Sequence, residues 1–141
     1  MIVRHLDVNV LVALSWPGHQ FHDVVERWFE STGSKGWATS PIVETGFVRI
    51  LSNPAFSRRA VTPVEAIDAL RITLEHPGHQ FWADDISVPE GLVSIAKGIS
   101  GHQLVTDAYL VALAIHHRGK RATLDQRIAH FAPAGVVEII S

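Results

Sequence analysis

Short apolar runs alternate with helical stretches along this chain. Residues 2–6 are mostly apolar, and residues 8–16 are apolar at nearly every position until Pro17 and Gly18. In residues 19–31 the apolar side chains recur at helical spacing with charged residues between them. The opening of the chain therefore predicts a strand, a buried helix and an amphipathic helix.

The same alternation continues to the last residues. Ser40 and Pro41 have the form of an N-cap followed by proline at the first helical position. Thr62 to Glu65 match a capping box, and Ser87 to Glu90 repeat that signal before residues 91–97. The predicted strands are 2–6, 37–39, 80–83, 120–124 and 136–140, and the predicted helices are 8–16, 19–31, 41 to about 52, 63–76, 91–97 and 104–117, with Gly119 at the last helix exit. Strands that alternate with helices favour an α/β fold with a central, mostly parallel sheet flanked by helices.

Length and composition place this fold in one domain covering residues 1–141. A chain of this size can bury a single core, and 47% of its residues are hydrophobic. No segment approaches the roughly 20 uninterrupted apolar residues that cross a bilayer, and no signal-peptide pattern opens the chain. We expect a soluble, cytoplasmic protein without a membrane partner.

Charge and cysteine content limit how the chain could bind nucleic acid and which metal ligands it can offer. The formal net charge is −2 and the sequence pI is about 6.5, so the chain lacks the strongly basic balance of a protein that binds nucleic acid through charge alone. A basic patch at residues 116–121 is also typical of a helix C-terminus. The absence of cysteine excludes thiolate ligands, whereas nine histidines leave imidazole ligands open.

Four acidic residues follow or open predicted elements. Asp7 and Asp125 follow apolar strands, Glu44 lies early in the helix from Pro41, and Asp107 opens an apolar helix. Taken singly, the three aspartates have the ordinary interpretation of helix caps. Because parallel strands of an α/β sheet end at one crevice, we expect the four carboxylates to share a site.

Electrostatics indicates what such a site must hold. Two carboxylates ~4 Å apart repel by about 4 kcal/mol at an effective dielectric near 20. Either some become protonated, or a cation keeps them ionised. Oxygen ligands without thiolates suit Mg²⁺ or Mn²⁺, and both ions bind phosphate oxygens, which favours phosphoryl chemistry.

The order and spacing of several short motifs resemble the PIN-domain ribonucleases, and especially the VapC toxins of bacterial type II toxin–antitoxin pairs. The resemblance covers essentially the whole chain. It rests on LDVNVL at residues 6–11, PIVE at 41–44, TDAYLVALA at 106–114 and TLD at 123–125, and ILSNP at 50–54 resembles the mycobacterial type of these toxins.

This resemblance implies that Asp7, Glu44, Asp107 and Asp125 form an acidic quartet that binds one or two Mg²⁺ or Mn²⁺ ions, supported by Asn9 and Thr123. The expected activity is metal-dependent hydrolysis of RNA phosphodiester bonds, in which a metal-bound water attacks phosphorus. The expected partners are an RNA substrate, a cognate VapB-like antitoxin and a second copy of the chain. The candidates for steering RNA are Arg49, Arg58, Arg59, Arg118, Arg121 and Arg127.

Three alternatives stay open. The pairs His19/His22 and His76/His79 have the spacing of shared metal ligands, but no complete zinc motif accompanies either pair. Asn9 replaces the second aspartate of a haloacid-dehalogenase-type phosphatase, which disfavours an aspartyl-phosphate mechanism. A non-catalytic PIN-like module that binds RNA or protein is the remaining alternative.

The aromatic residues of the second predicted helix and its surroundings have two interpretations. Trp16, Phe21, Trp28 and Phe29 are candidates for an antitoxin groove, although their helical spacing is more typical of core residues.

Overall fold

A five-stranded parallel sheet forms the centre of the molecule. The computed structural model describes residues 1–56 and 61–141. The strands are β1 (Arg4–Leu6), β2 (Trp37–Thr39), β3 (His79–Phe81), β4 (Lys120–Thr123) and β5 (Val137–Ile139), in the order β3-β2-β1-β4-β5. Every described strand pairing is parallel, so the predicted α/β class with a mostly parallel sheet is confirmed.

In residues 1–56 and 61–141, seven α-helices connect or flank the strands. They are α1 (Val8–Ser15), α2 (His22–Ser31), α3 (Pro41–Leu51), α4 (Pro63–Leu74), α5 (Val88–Leu92), α6 (Val105–His116) and α7 (Arg127–Phe131), with short 3-10 helices at Gly33–Lys35, Ala96–Gly98 and His102–Leu104. Thr62 and Glu65 form the predicted capping box at the start of α4.

The topology places one crevice beside β1. The chain crosses from β1 to β2 on one side and later returns to β4 on the other. Strand order of this kind opens a binding crevice at the carboxyl ends of the strands. Asp7 directly follows β1, and Asp125 lies two residues beyond β4, so both are at this edge of the sheet.

The core lies between the sheet and the two most apolar helices. Residues 10–13 of α1 and residues 108–114 of α6 are all buried. Trp37 and Phe47 are the largest apolar side chains that are fully buried. In residues 1–56 and 61–141, no helix has both the length and the apolar character needed to cross a bilayer.

Two local predictions were wrong. The N-cap predicted at Ser87 is confirmed, since Ser87 Oγ accepts from the Glu90 amide, but the helix ends at Leu92 and a 3-10 turn at Ala96–Gly98 replaces its predicted continuation to residue 97. Gly119 does not provide the left-handed residue after α6, since that residue is Arg118 with φ of 59°. A Cβ at Gly119 would lie 2.5 Å from the Val3 carbonyl oxygen, so close backbone approach explains this glycine.

The aromatic candidates for a groove divide between core and surface. Trp28 and Phe29 are partly buried against the main core. Trp16 packs edge-on against Phe56, whereas Phe21 is 41% exposed. Trp16 is also partly buried against this core, so the core interpretation holds for Trp16, Trp28 and Phe29.

Candidate metal centre

Asp7 is fixed at the N-terminus of α1 by hydrogen bonds to both of its carboxylate oxygens. Its Oδ1 accepts from the Val8 amide at 2.8 Å, and its Oδ2 accepts from Thr123 Oγ1 at 2.6 Å. The residue is 5% exposed and is the N-cap of α1. The capping interpretation is therefore correct for Asp7, and the same carboxylate also faces a cavity.

A buried arginine neutralises Asp7. The Nη2 of Arg121 donates to Asp7 Oδ1 at 2.8 Å, and its Nη1 donates to the Leu6 carbonyl at 3.1 Å and to His5 Nδ1 at 2.5 Å. His5 accepts at Nδ1, so its Nε2 carries the proton and donates to Ser40 Oγ at 2.9 Å. Burial and the Arg121 charge hold the pKa of His5 well below its usual range, which keeps this imidazole neutral.

Arg121 is one of the arginines that the sequence offers for steering RNA, and the structure corrects that prediction. Its side chain has no solvent exposure and is committed to Asp7. Burial lowers the pKa of the guanidinium, while the Asp7 and Asp107 carboxylates act in the opposite direction. Arg121 therefore positions an acid from within the core and cannot contact a ligand at the surface.

Asp107 faces the same cavity as Asp7. This cavity of about 220 Å³ also has Arg49, Thr106 and Gly46 in its lining. Burial raises the pKa of Asp107, and the Asp7 and Asp125 charges raise it further. Among the described residues, no hydrogen-bond donor contacts its carboxylate, so Asp107 is the least compensated acid of the four.

Asp107 does not cap α6, contrary to the simplest interpretation of its position. A 3-10 turn at His102–Leu104 precedes the helix, and Leu104 is the N-cap. The helix thus begins two residues before Asp107, which places this side chain in the first turn.

Glu44 is held by a relay from the neighbouring strand. Thr39 Oγ1 donates to Glu44 Oε2 at 2.7 Å and lies 2.7 Å from His79 Nε2. The hydroxyl has one proton, so it accepts from the His79 Nε2–H while donating to Glu44. Neither Thr39 nor His79 was predicted to belong to the site, although both occupy strands that end at the crevice.

The carboxylate of Asp125 forms an ion pair with an arginine of the same chain. Arg127 Nη2 donates to Asp125 Oδ2 at 2.7 Å, and Arg127 Nε donates to Oδ1 at 3.0 Å. This pairing lowers the pKa of Asp125. The Arg127 side chain is 62% exposed, so the pair lies at the open rim of the crevice.

The two predicted supporting residues lie between the acids. Thr123 Oγ1 donates to Asp7 and also accepts from the Asp125 amide at 3.0 Å. Asn9 Oδ1 accepts from the Leu124 amide at 3.4 Å, a long contact between α1 and the turn after β4. Thr123 therefore connects two acids of the quartet, while Asn9 acts on the backbone beside them.

The structure brings the four acids to one edge of the sheet without closing them into a cage. Asp7 and Asp107 line one cavity, and Glu44 lines an adjacent groove that shares Arg49 with it. In the described part of the chain, no three of these carboxylates have oxygens within 4.8 Å of one another. The donors are oxygen atoms only, and Asp107 carries a charge without a partner, so the set fits a hard divalent cation.

The histidines of the two pairs contact other groups of the chain. His22 contacts the Ala13 carbonyl at 2.7 Å and Glu26 at 2.7 Å, and His76 accepts from the Trp37 indole at 3.2 Å. Within residues 1–56 and 61–141, neither pair belongs to a group of three candidate ligands.

Of the other arginines, Arg49 lies beside the acids, Arg127 pairs with Asp125 and Arg118 is exposed. Arg58 and Arg59 lie outside the described residues.

The fold and the acidic crevice place the chain in a known class. A PIN domain family model matches residues 5–133, so the chain belongs to the PIN-domain family. Ribonuclease VapC39 of Mycobacterium tuberculosis is 44% identical over 135 residues, which cover 96% of this chain and 97% of that protein. Ribonuclease VapC38 of the same species is 37% identical, with 96% of each chain covered. The chain is thus a member of the VapC branch.

Solved structures agree on the fold. VapBC2 from Rickettsia felis, bound to a DNA fragment from its promoter, superposes with a TM-score of 0.71 over 99% of this chain and 100% of that chain at 15% identity. M. tuberculosis VapC20, a sarcin-ricin loop cleaving toxin, gives 0.70 over 98% and 99% at 16% identity. The predicted family is confirmed.

Proposed function

We propose that this chain is an endoribonuclease that requires Mg²⁺ or Mn²⁺ and acts as the toxin of a type II toxin–antitoxin pair. The observation that carries the proposal is the meeting of Asp7 and Asp107 at one cavity, in a chain that is 44% identical to a ribonuclease over nearly its whole length. Residues 1–141 then act as one PIN domain.

Asp7, Glu44, Asp107 and Asp125 are the residues that would hold the cation. A divalent ion bound there supplies a Lewis acid that activates water and neutralises charge on the scissile phosphate. Asp7 has one fully hydrogen-bonded oxygen, Oδ1, and one oxygen, Oδ2, whose described partner is Thr123 alone. The Oδ2 atom is therefore the oxygen of Asp7 that we assign to the cation.

Asp107 has the second role in this proposal. Among the described residues no donor contacts its carboxylate, so one oxygen is available to the cation and the other to the proton of the attacking water. We assign it both to the metal and to removal of a proton from the attacking water. The Thr39 hydroxyl fixes Glu44 in the groove next to that cavity, and we assign Glu44 to the cation together with the other three acids.

Arg49 is the cation that we assign to the RNA backbone. Its side chain lines both the cavity of Asp7 and Asp107 and the adjacent groove. A guanidinium in that place offers paired donors to a phosphate next to the acids. It also offsets the repulsion between RNA and an acidic crevice.

We infer an antitoxin partner from membership of the VapC branch. The groove between α3 and α4 has a volume of about 460 Å³ and is lined largely by apolar atoms of Val48, Pro63, Ile67 and Leu70. It begins at Glu44 and Arg49, so a partner segment seated there would cover the site. Homodimerisation is proposed on the same ground, and light scattering of the antitoxin-free protein tests it.

The activity is tested with purified, antitoxin-free protein and total cellular RNA in Mg²⁺, in Mn²⁺ and in EDTA. Wild type should produce discrete fragments only with metal, and Asp107→Asn should produce none. Asp68→Asn serves as the matched control, because Asp68 is an exposed aspartate on α4 that forms a surface ion pair with Arg71. RNA binding without cleavage by folded wild type would favour the non-catalytic PIN-like module instead.

A further inference from the structure

A second group of metal-ligand side chains lies away from the acidic quartet. Asp85, in the loop after β3, meets His116 and His117 at the end of α6, and their ligand atoms all lie within 4.8 Å of one another. His116 is nine residues beyond Asp107 on the same helix, roughly 14 Å along its axis. This group is therefore separate from the quartet.

The distances in the group suit a tetrahedral ion. Zinc bonds of about 2.0–2.1 Å to nitrogen and oxygen place tetrahedral ligand atoms roughly 3.3 Å apart. Asp85 Oδ1 lies 2.9 Å from His117 Nε2 and 3.5 Å from His116 Nε2, on either side of that value. Small side-chain movements would thus place all three atoms on one ion.

Packing holds the ring of His117 in place before any ion arrives. The imidazole stacks on Trp82 at a centroid distance of 4.4 Å and an angle of 11°, and Trp82 stacks in turn on the buried His5 at 5.4 Å. The ring of His116 stands at 87° to that of His117. A ligand whose orientation is fixed by neighbours loses little entropy when it binds metal.

The loop that carries Asp85 is fixed on both sides of this residue. Asp84 Oδ2 accepts from the Ile42 amide at 3.1 Å, and the Ile86 carbonyl accepts from the Tyr109 hydroxyl at 2.7 Å. The contacts of Asp84 and Ile86 therefore hold Asp85 facing α6. The Asp85 side chain is 48% exposed. Solvent can reach the group, so a metal can enter and retain a water ligand.

We propose that Asp85, His116 and His117 form a site for Zn²⁺ or a similar borderline transition metal, with a fourth position for water. Two imidazoles and one carboxylate select such ions over Mg²⁺, which prefers oxygen ligands and retains its waters. The acidic quartet has the opposite preference. The two sites thus prefer different divalent cations because their ligand types differ. An ion bound at the second site would also connect the loop after β3 to α6.

Calorimetric titration of chelator-treated protein with Zn²⁺ tests the proposal. All proteins in this experiment carry Asp107→Asn, which weakens metal binding at the quartet. In a parallel titration Co²⁺ replaces Zn²⁺, and the visible absorption of tetrahedral cobalt is measured. His116→Gln and Asp85→Asn are the test variants, since both side chains are exposed at the surface. His102→Gln is the matched control, an exposed histidine outside the group.

The parent should bind one Zn²⁺ and give the cobalt absorption. Removing a residue that only supports a metal ligand typically lowers metal affinity by ~10–100-fold. Each test variant removes a direct ligand, so its Zn²⁺ affinity should fall by more than that. The control should bind like the parent. Equal Zn²⁺ affinity in His116→Gln and the control, or no saturable binding by the folded parent, overturns the proposal. In the wild-type background, His116→Gln should keep full Mg²⁺-dependent RNA cleavage, which distinguishes this site from the quartet.

Discussion

Replacing Arg121 by methionine should destabilise the protein more than any change at an exposed arginine. The guanidinium is fully buried and is the cation that holds Asp7. Methionine keeps a similar length and an apolar stem but leaves Asp7 ionised in a low-dielectric environment without its partner. His5 and the Leu6 carbonyl also lose their donor.

The magnitude follows from the burial of the pair. Removing one partner of a buried ion pair costs about 3–5 kcal/mol, whereas an exposed pair contributes about 0–1 kcal/mol. For a domain of this size, about 2–4 °C per kcal/mol gives a fall in Tm of roughly 6–20 °C. The double variant Arg121→Met/Asp7→Asn should recover part of that loss, because no uncompensated charge remains.

Thermal unfolding by circular dichroism in EDTA measures these effects. The matched control is Arg71→Met, which removes an arginine from the exposed Asp68 pair, where the two side chains are 65% and 57% exposed. A fall in Tm no larger for Arg121→Met than for Arg71→Met would refute the reasoning. Failure of Asp7→Asn to recover any stability in the Arg121→Met background would show that the cost lies in packing and not in charge.

Three further predictions concern the acids. The pKa of Asp107 is raised in the folded state, so the native protein binds this proton more readily than the unfolded chain does and loses stability as the pH rises through that pKa. Metal-free Asp107→Asn should therefore unfold at a higher temperature than wild type at neutral pH, and the difference in Tm should close on acidification. A difference in Tm that does not depend on pH would contradict this. Arg127→Gln should free Asp125 and tighten Mn²⁺ binding in a calorimetric titration, while an unchanged affinity would show that the surface pair does not compete with metal. Thr39→Val should weaken Mn²⁺ binding by about 10–100-fold, because Glu44 loses the donor that orients it, and wild-type affinity would exclude that role.

The fold was predictable because local signals and the hydrophobic period agree. The strand at Trp37–Thr39 and the capping box at Thr62 lie where the sequence predicted them. The acids were also predictable as a group, since parallel strands bring their carboxyl ends to one edge. The prediction that they form a metal site stays a prediction until binding is measured.

The partners of those acids could not be predicted from sequence. Arg121 ends the basic patch at residues 116–121, a pattern that favours a solvated face. Only the tertiary fold brings its guanidinium to Asp7, 114 residues away in sequence. The hydrogen bonds from His79 through Thr39 to Glu44 depend on the pairing of β2 with β3, which local sequence does not specify. A buried charge is determined by long-range pairing, for which local periodicity carries no signal.

Binding of Mn²⁺, followed by electron paramagnetic resonance of the free ion, tests the central claim most directly. Wild type, Asp107→Asn and the control Asp68→Asn are titrated at neutral pH, and the same samples are assayed for RNA cleavage. Wild type and Asp68→Asn should bind Mn²⁺ alike and cleave RNA, while Asp107→Asn should lose more than about tenfold in Mn²⁺ affinity and should not cleave. Equal Mn²⁺ binding by Asp107→Asn and wild type, or cleavage that survives in Asp107→Asn, would contradict it.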